Sequence, residues 1–416
     1  MFDQLFTSQR TIDHHSNCPL LEARLRYLAH CAGQGSTRSS LRLIAQHLLI
    51  FVEQFDLEAE HDVDLEQIQR AANVWVGSRH QANGMTDCRY GRMRFISDAK
   101  KWLGYLGRLR LPAVPVRAYT RLVDEFCDHL SHDRGLAQST IRIHRWHIEQ
   151  FLDRYEQQNR PFCDICIRDI DAAIARKGEQ DFYSRVSIAH YVGTLRVFFR
   201  YAEQRAWCSR GLAAAMMHPR VFADEGLPKG PSWDEVQLLL AGTEGDDPKH
   251  VRDRAIIMLF AVYGFRVGDV RVLRLEDLDW EKELICFRRP KSRRQQSYPL
   301  SYTVGEAILR YLREVRPRTL HREIFLTLRA PIRPIGSGAL YDLVSNRLVS
   351  LGVSIKHHGP HSLRHACASR MLAQGLSMKV IGDHLGHRKQ DTTRVYAKVD
   401  LTGLRRVADV DLGGVL

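Results

Sequence analysis

Apolar residues recur at three- and four-residue steps through much of this chain. Tyr119, Leu122, Phe126 and Leu130 form one stripe, and Ile141, His144, Ile148, Phe151 and Leu152 form another. A third holds Ile188, Tyr191, Val192, Leu195, Phe198, Phe199 and Ala202. That spacing follows the 3.6-residue period of a helix with one buried face. The pattern changes near residue 232. Residues 234–240 and 251–262 still read as helices, the first opened by a capping box of Ser232 and Glu235. Leu284–Arg288 and residues 296–300 read as two strands, joined by the turn Arg289-Pro290-Lys291-Ser292-Arg293-Arg294. Helices return over residues 304–315, 339–351, 362–374 (ended by Gly375) and 378–385. The expected fold is mainly α, with a small antiparallel sheet in the C-terminal part and helical bundles before it.

Two breaks divide this pattern. Pro112 and Pro115 interrupt the first, and Gly226, Pro228, Gly230 and Pro231 crowd the second. The expected domains are therefore 1–112, 113–222 and 232–416. The first two resemble each other. Ser39, Arg42, His47 and Phe51 reappear as Ser139, Arg142, His147 and Phe151, with similar residues between them. This predicts a tandem pair of helical bundles. Short amphipathic helices that begin with Ser also look alike without common design, so both readings stand. Ser139 and Thr140 are expected to cap the second bundle's helix.

Composition adds a partner. The chain has 416 residues, 61 Lys plus Arg against 48 Asp plus Glu, and a net charge of +13. Such a surplus favours a polyanion, nucleic acid before an anionic membrane. The charge is partly patterned: Arg142 and Arg145 share a helix with His144, Trp146 and His147. That face suits a DNA backbone, although a run of charge is also what a solvated face carries. At 44% hydrophobic and 26% charged residues, wholesale disorder is excluded. No apolar run approaches the ~20 residues that span a bilayer, and no signal peptide is visible, so a cytoplasmic, DNA-associated protein without a membrane role is expected. Nine cysteines without framework spacing fit a reducing compartment. Cys163 and Cys166 form a lone CxxC, read as a buried structural pair rather than a zinc site.

The candidate chemistry lies in the third block. In Gly359-Pro360-His361-Ser362-Leu363-Arg364-His365, Gly-Pro opens a helix and puts His361 and Arg364 on one face of its first turn. Free backbone N–H groups and the positive helix end make this a plausible phosphate site. Taken alone, a surface helix with an ion-pairing Arg fits as well. Next, Ile381-Gly382-Asp383-His384-Leu385-Gly386-His387 places His387 just past a helix end, and Tyr396 follows nine residues later. Earlier, Tyr263-Gly264-Phe265-Arg266 follows an apolar helix, with Asp269 one turn beyond Arg266. Lys291 lies on the basic turn.

The ordered set of Arg266, Lys291, His361-x-x-Arg364, Leu385-Gly386-His387 and Tyr396 resembles the tyrosine recombinase (phage integrase) family, of the mobile-element type with an extra N-terminal domain. The resemblance covers roughly residues 232–407, with a more diffuse likeness of the second block to the family's helical core-binding domain. It implies a clamp around double-stranded DNA at a specific site, and strand cleavage and rejoining in integration, excision or transposition. Tyr396 would be the nucleophile, forming a 3′-phosphotyrosyl bond. Arg266 and Arg364 would hold the non-bridging oxygens, Lys291 would protonate the leaving 5′ oxygen, His361 would take part in proton transfer with the tyrosine, and His387 would bond the phosphate. Asp269 would support Arg266, where the family often has Glu. Arg142, Arg145, Arg288, Arg289, Arg293 and Arg294 would grip the DNA backbone. No metal or other cofactor is implied. A histidine zinc site is disfavoured because Arg364 lies between His361 and His365 and would repel a cation. The stripe Leu401, Leu404, Val407 and Val410 fits an intramolecular lid as well as docking on a neighbouring copy; the resemblance implies the latter, and with it a homo-oligomer, expected as a tetrameric synapse, with sister recombinases as further partners. Two rival readings are a type IB topoisomerase-like relaxing enzyme and a non-catalytic DNA-binding accessory protein.

Overall fold

The computed structural model describes residues 1–55, 62–83, 89–112, 117–157, 160–221, 230–288, 295–386 and Thr393. Lys291, His387, Tyr396, Arg289, Arg293, Arg294 and the C-terminal stripe lie outside the described residues. The chain divides into two compact units, Met1–Pro112 with Leu227–Leu416, and Ala113–Gly226.

The chain opens with α1 (Phe2–Leu5), α2 (Gln9–Asn17), α3 (Leu21–Gly33), α4 (Arg38–Gln54), α5 (Leu65–Asn83) and α6 (Arg89–Leu106). Two short strands, β1 (Val63–Asp64) and β2 (Leu109–Arg110), pair in parallel. Leu28, Leu48, Phe51, Ile68, Phe95 and Trp102 meet in the core. Thr37 starts α4 by accepting the Ser40 N–H at 3.3 Å. Asp64 and Gln67 start α5 by each accepting the other's backbone N–H, both at 2.8 Å.

The unit Ala113–Gly226 holds α7 (Thr120–His132), α8 (Gln138–Glu156), α9 (Ile167–Glu179), α10 (Arg185–Gln204) and the short α11 (Leu212–Ala215). Its core gathers Val123, Phe126, Ile148, Phe151, Leu195, Phe198 and Phe199. The expected cap on α8 is not used. The helix starts at Gln138, with extended Ala137 at the cap position and no side-chain cap bond, so Ser139 and Thr140 fall inside the first turn. The cysteine reading is also corrected: Cys163 is exposed and Cys166 half-buried, and both are free. Cys166 instead opens α9, its backbone N–H donating to Asp169 at 2.9 Å.

The tandem pair is real at the level of burial. Arg24, Tyr27, Leu28 and Cys31 on α3 are buried where Val123, Phe126, Cys127 and Leu130 are buried on α7. Leu41, His47, Leu48, Phe51 and Val52 on α4 answer to Ile141, His147, Ile148, Phe151 and Leu152 on α8. Phe95, Asp98, Ala99, Trp102 and Leu103 on α6 answer to Tyr191, Thr194, Leu195, Phe198 and Phe199 on α10. Even the cap matches: Asp64 with Gln67 opens α5 as Cys166 with Asp169 opens α9. Both histidines meet the last helix edge-on, His47 against Phe95 at 5.3 Å and His147 against Tyr191 at 5.4 Å. Burial holds His147 down to about 4, the nearby Lys177 adding to it. His47 instead bonds Asp98 at 2.8 Å.

The remainder begins with α12 (Trp233–Ala241), opened by the expected capping box of Ser232 and Glu235. Then come α13 (Pro248–Val262), α14 (Val267–Val272), β3 (Leu278–Asp279), β4 (Leu284–Arg288), β5 (Gln295–Pro299) and α15 (Tyr302–Arg310), which continues as a wider turn over Tyr311–Val315. Finally α16 (Ser337–Ser350), α17 (Pro360–Ala373) and α18 (Met378–Leu385) follow. The sheet is antiparallel in the order β3-β4-β5, with Leu284 opposite Pro299 and Arg288 opposite Gln295. Its third strand, β3, was not expected, because two residues are too short to show alternation.

α13 is buried on nearly every side, from Ala255 through Ala261. It carries Asp253, fully buried and bonded to Arg252 at 2.8 Å and Arg347 of α16 at 2.9 Å. Because the carboxylate joins two helices out of water, Asp253→Ala should leave two guanidinium groups uncompensated and cost about 3 kcal/mol of stability. Denaturant unfolding checks this. Among the described residues no helix is long and apolar enough to cross a membrane.

Candidate active site

Three helix ends converge around one buried guanidinium. Arg364, on the first turn of α17, is 1% exposed. It donates to the carbonyl of Gly264 at 2.5 Å and to that of Leu385 at 2.7 Å. These carbonyls terminate the α13 and α18 segments, so negative helix ends face the cation. Gly264 is needed here twice over. Its φ is +60°, and a Cβ would stand 2.6 Å from Leu385 Cδ2. Gly386 closes α18 in the left-handed conformation, and its carbonyl accepts from the Arg266 guanidinium at 3.2 Å. The two guanidinium groups thus hold adjacent residues of one turn.

Arg266 caps α14, and Asp269 accepts its backbone N–H at 3.1 Å. Asp269 is buried, and this bond fixes where the chain of Arg266 enters the helix. His361, one turn before Arg364, stands on the open side of α17 and stacks edge-on with His365 at 4.5 Å. Its pKa lies below the ordinary imidazole value. Crowding by protein is the first cause, followed by the charges of Arg364 and Arg266. Burial holds its neighbour His365 lower, at about 4. The shift at His361 favours the uncharged imidazole, the form able to accept a proton.

The structure brings together Arg266, Asp269, His361 and Arg364 from the predicted set. Arg288 ends β4 on the exposed side, at the start of the basic turn. Arg142 is exposed on α8, whereas Arg145 is engaged with Asp124 at 2.7 Å and Glu149 at 3.3 Å. Sequence reasoning missed the supports of the site. Tyr298 of β5 donates to the carbonyl of His384 at 2.7 Å, and Tyr263 donates to that of Pro299 at 2.7 Å. Together they tie α18 and the sheet to the end of α13. A tyrosine in a strand gives no signal of such a role. Among the described residues, the ligand-type side chains grouped closely enough for an ion are His14, Cys18 and Glu53, in the N-terminal bundle.

The Phage integrase family matches residues 232–402, and its N-terminal SAM-like domain matches residues 123–206. A Sinorhizobium fredii protein, y4rA, which carries the name integrase/recombinase, is 35% identical over 295 residues, 70% of this chain and 69% of its own length. The chain belongs to the phage integrase family of tyrosine recombinases. The tyrosine recombinase XerC of Thermodesulfovibrio yellowstonii is 28% identical over 292 residues, covering 69% of this chain and 94% of XerC. Among solved structures, the recombinase resembles XerH bound to its difH substrate, with TM-score 0.57 and 16% identity over 82% of this chain and 96% of XerH. A lambda integrase dimer bound to a core site gives 0.52 and 20% over 66% and 94%. These likenesses confirm the mainly helical fold with its small antiparallel sheet. The protein is a site-specific recombinase, an enzyme that cleaves and rejoins DNA strands.

Proposed function

We propose that Tyr396 is the nucleophile of this recombinase and that Arg266, Lys291, His361, Arg364 and His387 form its phosphate pocket. The phenol oxygen attacks the phosphorus of a DNA phosphodiester, and the bond to the 5′ oxygen breaks. His361, neutral at working pH, accepts the phenol proton, and Lys291 gives a proton to the leaving 5′ oxygen. Arg266 and Arg364 receive the charge that grows on the non-bridging oxygens, and His387 adds a hydrogen bond. Asp269 positions Arg266. A second strand's 5′ hydroxyl reverses the reaction, so the bond energy is kept in the ester.

The observation that carries this reading is the double anchoring of Arg364. A guanidinium locked between two helix-end carbonyls, with Arg266 on the next residue of the same turn, is preorganised for a phosphate. A domain plan of 1–112, 113–222 and 232–416 accompanies it. The last holds the chemistry, and the second grips duplex DNA through Arg142 and its neighbours, with Arg288, Arg289, Arg293 and Arg294 on the basic turn. The DNA-bound XerH and the lambda integrase dimer support work as an oligomer on DNA, and we assign a tetrameric synapse.

The test is adduct trapping on nicked duplexes built from DNA that copurifies with the protein. A DNA fragment joined to Tyr396 through its 3′ phosphate is expected. An adduct on another residue overturns the assignment, and efficient relaxation of plasmid lacking that site favours the topoisomerase-like reading.

The segment before Tyr396 offers a further check. Thr393 is buried, and a Cβ on Gly382 of α18 would stand 2.8 Å from its Oγ1. Gly382→Ala should displace this segment and slow single-turnover cleavage by roughly 10²-fold, with duplex binding unchanged. Adding Thr393→Ala to the same chain removes the obstructing hydroxyl and should restore most of the rate.

A further inference from the structure

We infer that the N-terminal bundle is a second duplex-gripping module, and that it grips through the groove between α4 and α6. The inference rests on the reading that the unit Ala113–Gly226 binds DNA, and it gives a role to residues that the family match does not reach.

Equivalent positions line a groove in both bundles. In the second, Thr140, His144, His190 and Thr194 line it, from α8 and α10. Their counterparts Ser40, Ile44, Arg94 and Asp98 line the groove of the first, from α4 and α6. The two grooves thus share four equivalent positions.

The repeated groove has become more basic. Arg94 stands where the second bundle has His190, and Lys101 stands where it has Val197. Arg329, on a loop after β5 and α15, reaches the same groove. Among the described residues, none of the three cations is in an ion pair. Asp98, the acid in the groove, is buried and committed to His47 at 2.8 Å. Exposed Tyr90 and Tyr105 stand at the rim, Tyr105 packing on the buried Tyr27 at 5.2 Å and on His30 at 5.1 Å. Uncommitted cations set among aromatic rings and hydroxyls are the chemistry of a backbone-tracking nucleic-acid surface. An acidic protein segment would be the competing ligand. The chain carries a net charge of +13 and belongs to a family that acts on DNA, so a polyanionic duplex is favoured.

The experiment uses the full chain and a long mixed-sequence duplex, titrated over a range of salt. Each lost phosphate contact lowers the slope of log affinity against log salt by about one. Arg94→Ala/Lys101→Ala should therefore lower the slope by about two and weaken binding roughly tenfold at low salt. Arg329→Ala alone, away from the bundle's core, should lower it by about one, which guards against a folding defect in the double variant. Arg142→Ala reports on the second bundle. If Arg142→Ala lowers the slope while the Arg94/Lys101 and Arg329 variants match the parent, the N-terminal groove is not a DNA surface, and the reading of the second bundle stands. If the parent itself fails to bind duplex, both fall.

Discussion

The Tyr396→Phe protein should bind duplex DNA as the parent does and form no covalent adduct. Phenylalanine keeps the aromatic ring. It removes the phenol oxygen that we propose bonds to phosphorus. Strand cleavage should drop by on the order of 10⁴-fold or more, as expected when a covalent nucleophile is lost. Denaturing gels of nicked duplex report the adduct, and gel shift reports binding. A phenylalanine variant that still yields adduct at a tenth of the parental rate would remove Tyr396 from the mechanism. Loss of binding together with loss of adduct would instead make position 396 part of the fold.

Arg364 is expected to have the second-largest effect, and its two duties can be separated. Its guanidinium joins the carbonyls of Gly264 and Leu385, and in the proposed mechanism it also binds the phosphate. Arg364→Ala leaves two buried carbonyls without their donor, which costs about 1–3 kcal/mol each. It also removes a transition-state donor, worth roughly 10²–10³ in rate. Arg364→Lys keeps one charge but cannot reach two carbonyls and a phosphate with a rigid fork. The lysine variant should therefore recover part of the stability and little of the cleavage rate. Unfolding measured beside single-turnover cleavage distinguishes the two. If lysine restores cleavage to within about twofold, the pocket needs only a point charge and the geometric reading of Arg364 fails.

His361 bears on the same chemistry through its depressed pKa. As the proposed base, with its pKa lowered, it should gain little from a rise in pH above 7 and lose function as acid protonates it.

Much of the molecule was legible in the amino-acid order. Periodicity placed β4 and α18 at their observed limits, and the Ser232–Glu235 box marked the start of α12, because these signals depend on residues within a turn or two of each other. The repeat was visible in His47 and Phe51 because buried positions constrain residue type in both copies, and the exposed Ser39 and Arg42 recur beside them. The motif residues named the chemistry, since the order of Arg, Lys, His-x-x-Arg, Leu-Gly-His and Tyr survives without coordinates. Other features needed the folded chain. The Ser139–Thr140 cap was misread because Ala137 already ends the preceding turn in an extended conformation. Cys163 was read as buried, yet a CxxC spacing says nothing about which way a loop faces. Arg145 looked like a free cation on its helix, and only the fold brings Asp124 beside it. What tertiary structure alone decided was the clasp on Arg364. Its partners Gly264 and Leu385 are backbone carbonyls, so no side chain announces them. They lie far apart along the chain, and meet only because α13, α17 and α18 end at one point.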